Sequence, residues 1–183
     1  IHRRARETMW SLAENKDETA LTAIQFLAKD KDLSAPETER LLQVVEEHPD
    51  AKPSDRFAVL SALMQASPQV RDSVLDREVK RYEGKGVDEL LPVLRWLAGE
   101  KQHTRLLQLV PPNIASKSRE IFPLVAQALG EEGRWADLKR LLTSGEQLPV
   151  SRARVQVWLA EAASKLTPND YTQARTHLLT AVE

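Results

Sequence analysis

The sequence predicts an all-α fold of short helices packed in antiparallel pairs, and three observations support this. Apolar residues recur at positions i, i+3, i+4 and i+7 through most of the chain, which is the spacing of one helix face. No run of strand length alternates apolar and polar residues, and glycine is scarce, at 6 of 183 residues. Proline, glycine and capping residues interrupt the helical pattern at intervals of roughly 10 to 16 residues.

About eleven helices are expected from these interruptions. In chain order they are predicted at 3–14, 17–30, 34–48, from Ser54, from Pro68, and then at 87–98, 101–110, 116–129, 133–143, 149–165 and 168–183. Asp17 and Ser34 are predicted N-caps, and Pro111 and Pro112 are predicted to stop a helix. None of these helices is long enough to be stable alone in water, so each must pack against its neighbours. The short connections favour antiparallel neighbours.

Composition and charge exclude several classes of function. The chain has 26 basic and 27 acidic residues, and this balance argues against a nucleic-acid partner. It has no cysteine, which removes disulfides and thiolate chemistry. No apolar run approaches the roughly 20 residues of a spanning helix, so no membrane insertion is expected within this segment. The compartment stays open, with the cytoplasm preferred for a soluble chain.

No catalytic pattern is present. The four histidines, at positions 2, 48, 103 and 177, are dispersed, and no phosphate-binding or nucleophile motif occurs. The carboxylates cluster at helix starts or on faces expected to be solvated. Arg77, Lys80 and Arg81 share one helix face beside Asp76 and Glu78, which predicts a solvated face with ion pairs. We therefore expect no enzyme activity, no cofactor and no metal.

Two neighbouring segments match at an offset of 31 residues. Pro92, Gly99, Glu100 and Leu107 recur as Pro123, Gly130, Glu131 and Leu138. In each copy a helix is predicted to end at the glycine, and a second helix follows after a short turn. This predicts a repeat protein rather than a globular bundle.

The C-terminal part carries the clearest resemblance to a known family. Tyr171 is followed three residues later by Ala174, then by Leu178 and the closing Ala181-Val-Glu183. The preceding unit contains Gly133, Trp135, Leu138, Leu142, Ala153, Val157, Ala160 and Pro168. Both segments resemble tetratricopeptide repeats, clearly over 99–183 and more weakly over 1–98, where the assignment of helices as first or second of a pair stays open. Lys139 departs from the family, which has a small residue there.

The resemblance implies a right-handed superhelical solenoid of antiparallel helix pairs, with residues 1–183 as a single repeat domain. Small residues would let two helices approach closely, and larger ones would fill the gaps between them; the small ones are Ala153, Ala160, Ala174 and Ala181, and the larger ones Trp135, Leu142 and Tyr171. Family members bind partners in a concave groove lined by the first helix of each pair. Carried over by position, the lining residues here are Ala136, Arg140, Thr172 and Thr176, and aligning Leu107 with Leu138 adds Arg105.

The resemblance and the absence of a catalytic pattern together predict a function. We expect a protein–protein interaction scaffold that binds a peptide or partner protein in this groove. The alternative is a helical accessory domain of a larger enzyme or regulator whose active module lies outside this segment. Because the chain stops at Glu183 after what resembles a first helix, an apolar face is expected to be bare, and more chain is expected beyond it.

Overall fold

The computed structural model of the chain is helical throughout. It describes residues 2–110, 112–144, 147–167 and 171–182, with the backbone alone at 2, 3, 112 and 113. The helices are α1 (His2–Ala13), α2 (Glu18–Leu27), α3 (Ala35–Glu47), α4 (Pro53–Ala66), α5 (Arg71–Tyr82), α6 (Val87–Gly99), α7 (His103–Leu109), α8 (Pro112–Ala115), α9 (Ile121–Glu131), α10 (Trp135–Leu142), α11 (Arg152–Leu166) and α12 (Thr172–Val182). No strand occurs in the described ranges. The all-α prediction is confirmed.

Two predicted helix boundaries are wrong. The helix predicted at 101–110 does end before the two prolines, at Leu109, and Pro112 then begins the four-residue helix α8, because proline fits the first helical position. The helix predicted at 116–129 begins at Ile121, where the Ser118 hydroxyl accepts a hydrogen bond from the Ile121 N–H at 3.2 Å. Pro68 opens a 3-10 turn, and α5 starts at Arg71. Pro111, the other predicted stop, lies outside the described residues.

The chain divides into two compact units, Ile1–Arg81 and Tyr82–Glu183, described separately below. In the first unit, α1 packs on α2 and α3 packs on α4, while α2 also contacts α3 and α4. The shared core contains Ala13, Ala23, Ile24, Leu27, Leu33, Leu41, Val45 and Val59. Trp10 packs against this core, and the Arg40 guanidinium lies 4.8 Å from the centre of its ring. This unit is therefore two helix pairs around one apolar centre, followed by α5.

The starts of α2 and α3 are held by the predicted capping residues. The Asp17 side chain accepts hydrogen bonds from the N–H groups of Thr19 and Ala20 and from the Thr19 hydroxyl. These bonds, with that of the Thr19 hydroxyl first, lower the pKa of Asp17. The Glu37 carboxylate accepts from the Ser34 hydroxyl at 2.5 Å and from the Ser34 N–H at 2.9 Å. These two bonds, with Arg6 at 2.8 Å, lower the pKa of Glu37. Arg6 thereby ties α1 to the first turn of α3.

A buried ion pair joins α4 to α5. Glu78 is fully buried, and both of its oxygens accept hydrogen bonds from Arg56, with Nη2 to Oε1 at 2.8 Å. Nε of Arg56 also donates to Glu46 on α3 at 2.8 Å. Burial works against the charge of Arg56, but the bonds to Glu78 and Glu46 outweigh it and raise the pKa of the guanidinium above its ordinary value. Glu78, expected on a solvated face, is thus a core residue.

His48 joins two loops of the first unit. Its ring is buried, with 6% of the residue exposed. Nδ1 accepts from the Asp50 N–H at 3.2 Å, and Nε2 lies 3.1 Å from the Asp17 carbonyl oxygen. Because a carbonyl can only accept, Nε2 carries the proton in this arrangement. The imidazole therefore links the α1–α2 connection to the α3–α4 connection.

In the second unit, consecutive helices pack as pairs. α6 packs on α7, α9 on α10, and α11 on α12, while α9 also contacts α6 and α7, and α10 contacts α11. The largest fully buried side chains of this unit include Leu90, Leu94, Leu97, Leu106 and Phe122. Within this unit, the second and third pairs therefore each rest on the pair before them.

The first two pairs of this unit repeat at 32 residues, one more than the sequence identities indicate. The Gln102 N–H donates to the Leu97 carbonyl at 2.8 Å, and 32 positions later the Arg134 N–H donates to the Leu129 carbonyl at 2.8 Å. This is the closing bond of a Schellman turn. Lys101 and Gly133 occupy its left-handed position, with φ of 58° and 67°. The 31-residue alignment is therefore wrong at the turn.

Burial follows the same 32-residue spacing on both sides of the turn. The buried positions Leu90, Val93, Leu94, Leu97 and Leu106 correspond to Phe122, Val125, Ala126, Leu129 and Leu138, which are all buried. The two prolines are not equivalent, because Pro123 lies in the first turn of α9 and Pro92 in the interior of α6. The core positions thus repeat, whereas the residue identities at 31 do not mark equivalent sites.

The last pair packs through small residues, as expected for Ala160 and Ala174, whereas Ala153 is exposed and the prediction for it is wrong. Ala160 and Ala163 of α11 form a buried cluster with Ala174 of α12. His177 adds a polar link, with Nδ1 2.7 Å from Oε1 of Gln156. Close approach of the two helices therefore depends on side chains that are short on both sides.

Most of the remaining residues of α12 are exposed. Tyr171, predicted to fill a gap between helices, is 66% exposed, so that prediction is wrong. Leu178, Leu179 and Val182 are 50%, 55% and 85% exposed. The expected bare apolar face is observed, and the further chain proposed to cover it stays a prediction.

Candidate functional site

An apolar cleft of about 520 Å³ lies in the second unit, where α7, α8, α9 and α10 meet. We call it the apolar cleft. Its apolar lining is Leu107, Val110, Ala115, Val125, Leu129 and Leu141. Val110, Val125 and Leu129 are 6–8% exposed, while Leu107 and Leu141 are half-buried. Clefts of this size and character are where proteins take up apolar side chains of a ligand.

Three charged residues, spaced from the N-cap to the last turn of α10, form one rim of the apolar cleft. Asp137 accepts from Arg134, with Nη2 to Oδ2 at 2.7 Å, and from Arg140, with Nη2 to Oδ1 at 2.8 Å. The i, i+3 spacing makes each arginine a neighbour of Asp137 on the helix surface. Asp137 is in the first turn and Arg140 in the last turn, where the helix dipole favours their charges. The rim thus carries two positive charges and one negative charge.

The structure brings one of the five predicted groove residues to this cleft. Arg140 lies on its rim, whereas Ala136 is exposed one turn earlier on α10 and does not line it. Thr172 and Thr176 are exposed on α12, and the Thr176 hydroxyl donates to the Thr172 carbonyl of its own helix at 3.0 Å. Binding by these residues stays a prediction.

With a repeat spacing of 32 residues, Arg105 no longer corresponds to Ala136. Its counterpart in the next helix pair is Asp137, and the counterpart of Ala136 is Thr104. Arg105 is half-buried, and its Nη1 donates to Gln102 at 2.5 Å. The assignment of Arg105 as equivalent to Ala136 is therefore wrong, because one residue of slippage turns a helix by about 100°.

A second groove, of about 430 Å³, lies among α9, α10 and α11. Trp135 and Trp158 line it, and a cation lies near each ring: Lys165 6.0 Å from Trp135 and Arg154 4.9 Å from Trp158. Glu131 and Glu161 balance these two cations. The charges of these lining residues cancel, so the groove is not expected to select a ligand by its charge.

Sequence reasoning missed the apolar cleft itself. Leu107, Val110 and Leu141 occupy ordinary positions of apolar helix stripes in the sequence, and only the packing of α7 and α10 against α9 leaves them facing a common space. The detectable signal was the Arg134, Asp137, Arg140 triplet at a spacing of three, next to apolar Leu141.

Within the described residues, no three His, Asp or Glu side chains come together as ligands for a metal ion. None of the described helices combines the length and apolar character needed to cross a bilayer. The chain matches no protein-family model, no curated protein and no solved structure in comparisons with each.

Proposed function

We propose that this chain binds another protein, or a peptide segment of one, in the apolar cleft of its second unit. The observation that carries the proposal is the cleft of about 520 Å³ whose lining includes the half-buried Leu107 and Leu141. Burial of apolar surface is the main favourable term in association. A ligand that covered these two leucines would remove apolar surface from water at a place where the chain itself leaves it uncovered.

We also propose that the helix pairs form a right-handed superhelical solenoid of the tetratricopeptide-repeat type. Support comes from the 32-residue recurrence of the Schellman turn and of the buried positions in α6–α7 and α9–α10. Solenoids stabilise themselves through contacts between neighbouring repeats and leave extended surfaces for partners. A scaffold role follows from that architecture without any catalytic group.

Selection of peptides from a displayed random library tests the binding function. The full chain is the target, and the selected peptides are then measured against Leu141→Glu, which places a charge in the cleft. Leu166→Glu is the matched control, because Leu166 is 42% exposed on α11 and does not line the cleft. Circular dichroism establishes that both variants keep the helical content of the parent.

We expect the selected peptides to bind Leu141→Glu at least about tenfold more weakly, which corresponds to about 1.4 kcal/mol. Binding to Leu166→Glu is expected to equal that of the parent. Recovery of no binding peptide, or equal binding to both variants, would overturn the proposed function.

A further inference from the structure

We infer that the occupant of the apolar cleft is an acidic amphipathic helix, whose apolar side chains enter the cleft and whose carboxylates meet Arg134 and Arg140. This inference rests on the proposed function and names the chemistry of the partner. Its two parts, the acidic character and the helical form, have separate reasons in the structure.

The acidic character follows from the charges around the cleft. Among the described residues that line it, Arg134, Asp137 and Arg140 are the charged ones, so positive charge is in excess by one in that set. The Asp137 carboxylate contacts both guanidinium groups. The Arg140 side chain is nevertheless 79% exposed. A guanidinium has five N–H donors, so Arg140 retains donors for a second carboxylate.

Arg134 supports the same reading. Its Nε and Nη2 both donate to Oδ2 of Asp137, at 2.8 and 2.7 Å, yet half of its side chain, 52%, is exposed. An incoming carboxylate between the two arginines would be attracted by both and repelled by Asp137 alone. A basic peptide would be repelled by both arginines and attracted by Asp137. Charge complementarity of this kind sets the specificity and association rate of a partner.

The helical form follows from the backbone around the cleft. Its lining comes mostly from α7, α8, α9 and α10, whose interior N–H and carbonyl groups are occupied within their own helices. An extended peptide gains its affinity by adding main-chain hydrogen bonds to an exposed strand edge, and no strand occurs in the described residues. Strand addition is therefore not available to a ligand of these residues, and an amphipathic helix, which binds through side-chain anchors at i, i+3, i+4 and i+7, is the form of peptide that we infer.

Three synthetic helical peptides test the inference. All three have the same leucine stripe at i, i+3, i+4 and i+7, and the positions beside the stripe are glutamate, glutamine or lysine. Binding to the full chain is measured by fluorescence anisotropy at low salt and at 0.3 M salt, about the range over which surface charge is screened. The protein variants are Arg140→Glu and, as a matched control, Arg175→Glu, because Arg175 is exposed on α12 and does not line the cleft.

We expect the glutamate peptide to bind about tenfold more tightly than the lysine peptide at low salt, with the difference shrinking at 0.3 M. Arg140→Glu is expected to reverse the order of the two peptides, and Arg175→Glu to leave it unchanged. Equal binding of all three peptides would overturn the acidic partner and leave the proposed binding function standing. Failure of all three to bind, when unrelated extended peptides do bind in the cleft, would overturn the helical partner, and failure of every peptide would overturn both proposals.

Discussion

Arg56 and Glu78 form a two-point ion pair that is closed off from solvent: both oxygens of the fully buried Glu78 carboxylate accept from the Arg56 guanidinium. The pair joins α4 to α5, and Nε of the same guanidinium donates to Glu46 of α3. Removing one member of a buried pair leaves the other charge without its partner in a poorly solvated place. The attachment of α5 to the first unit therefore depends on this pair.

Glu78→Ala is expected to lower the free energy of unfolding by about 3 kcal/mol, at the low end for a broken buried pair because Glu46 still contacts Arg56. Urea unfolding followed by circular dichroism measures the change. Asp76→Asn, an exposed carboxylate on the same helix, is the control and is expected to cost less than about 1 kcal/mol. Equal costs for the two variants would contradict the structural role of the pair. Joint replacement with Arg56→Met and Glu78→Leu is expected to recover most of the loss.

In the neutral form of His48 the proton is expected on Nε2, because Nδ1 accepts from the Asp50 N–H. Nitrogen-15 chemical shifts of the imidazole report this tautomer directly. His48→Leu is expected to lower the free energy of unfolding by about 1 kcal/mol, since the Asp50 N–H loses its acceptor while the Asp17 carbonyl keeps its bond from the Ala20 N–H. His103→Leu, at a half-buried position in the second unit, serves for comparison. A proton found on Nδ1 would refute the arrangement.

Glu37 makes the stability of the first unit depend on pH. The Ser34 hydroxyl, then the Ser34 N–H and Arg6, hold the pKa of Glu37 below its ordinary value of 4.5. A carboxyl with a depressed pKa contributes stability fully above its unfolded value and loses it as pH falls through the folded value. The difference in unfolding free energy between the parent and Glu37→Gln is therefore expected to be constant near neutrality and to shrink below pH 4.5. Urea unfolding of both proteins over that pH range measures this difference. A difference that grew on acidification would contradict the prediction.

Lys101 and Gly133 occupy equivalent left-handed positions, and only glycine does so without strain. Lys101→Gly is expected to raise the free energy of unfolding by about 1 kcal/mol, and Gly133→Ala to lower it by about as much. An added Cβ at Gly133 meets only Nε1 of Trp135, at 4.0 Å, so the cost comes from the backbone. Gly99→Ala, inside α6 with open space around it, is the control and is expected to stabilise. Changes of the same sign at Lys101 and Gly133 would reject their equivalence.

The parts of the fold that depend on neighbouring residues were readable from the sequence. Ser34 with Glu37 marks the start of α3 because capping acts over three positions. Glu78 misled the prediction for the opposite reason. Its burial depends on Arg56, 22 residues earlier, and nothing beside Glu78 in the chain distinguishes it from the solvated acids of α5.

The candidate site was less accessible to sequence reasoning than the fold. Arg140 was selected through family resemblance and does lie on the rim of the apolar cleft. Leu107, Val125 and Leu141 form the cleft only because three helices from two consecutive pairs converge, and no local pattern encodes such a convergence. Arg105 was misassigned because identical residues at 31 outweighed the burial pattern at 32.

The 32-residue spacing matters to anyone who would engineer longer arrays from these helix pairs. A cassette cut at 31 residues would enter each copy about 100° out of phase, since an α-helix has 3.6 residues per turn. Lys139 would then face the interior in place of Leu138, and every joint would carry a buried charge. A cassette of 32 residues would keep the leucines buried at each junction between repeats. A difference of one residue in the length of the cassette therefore determines whether the array is expected to fold.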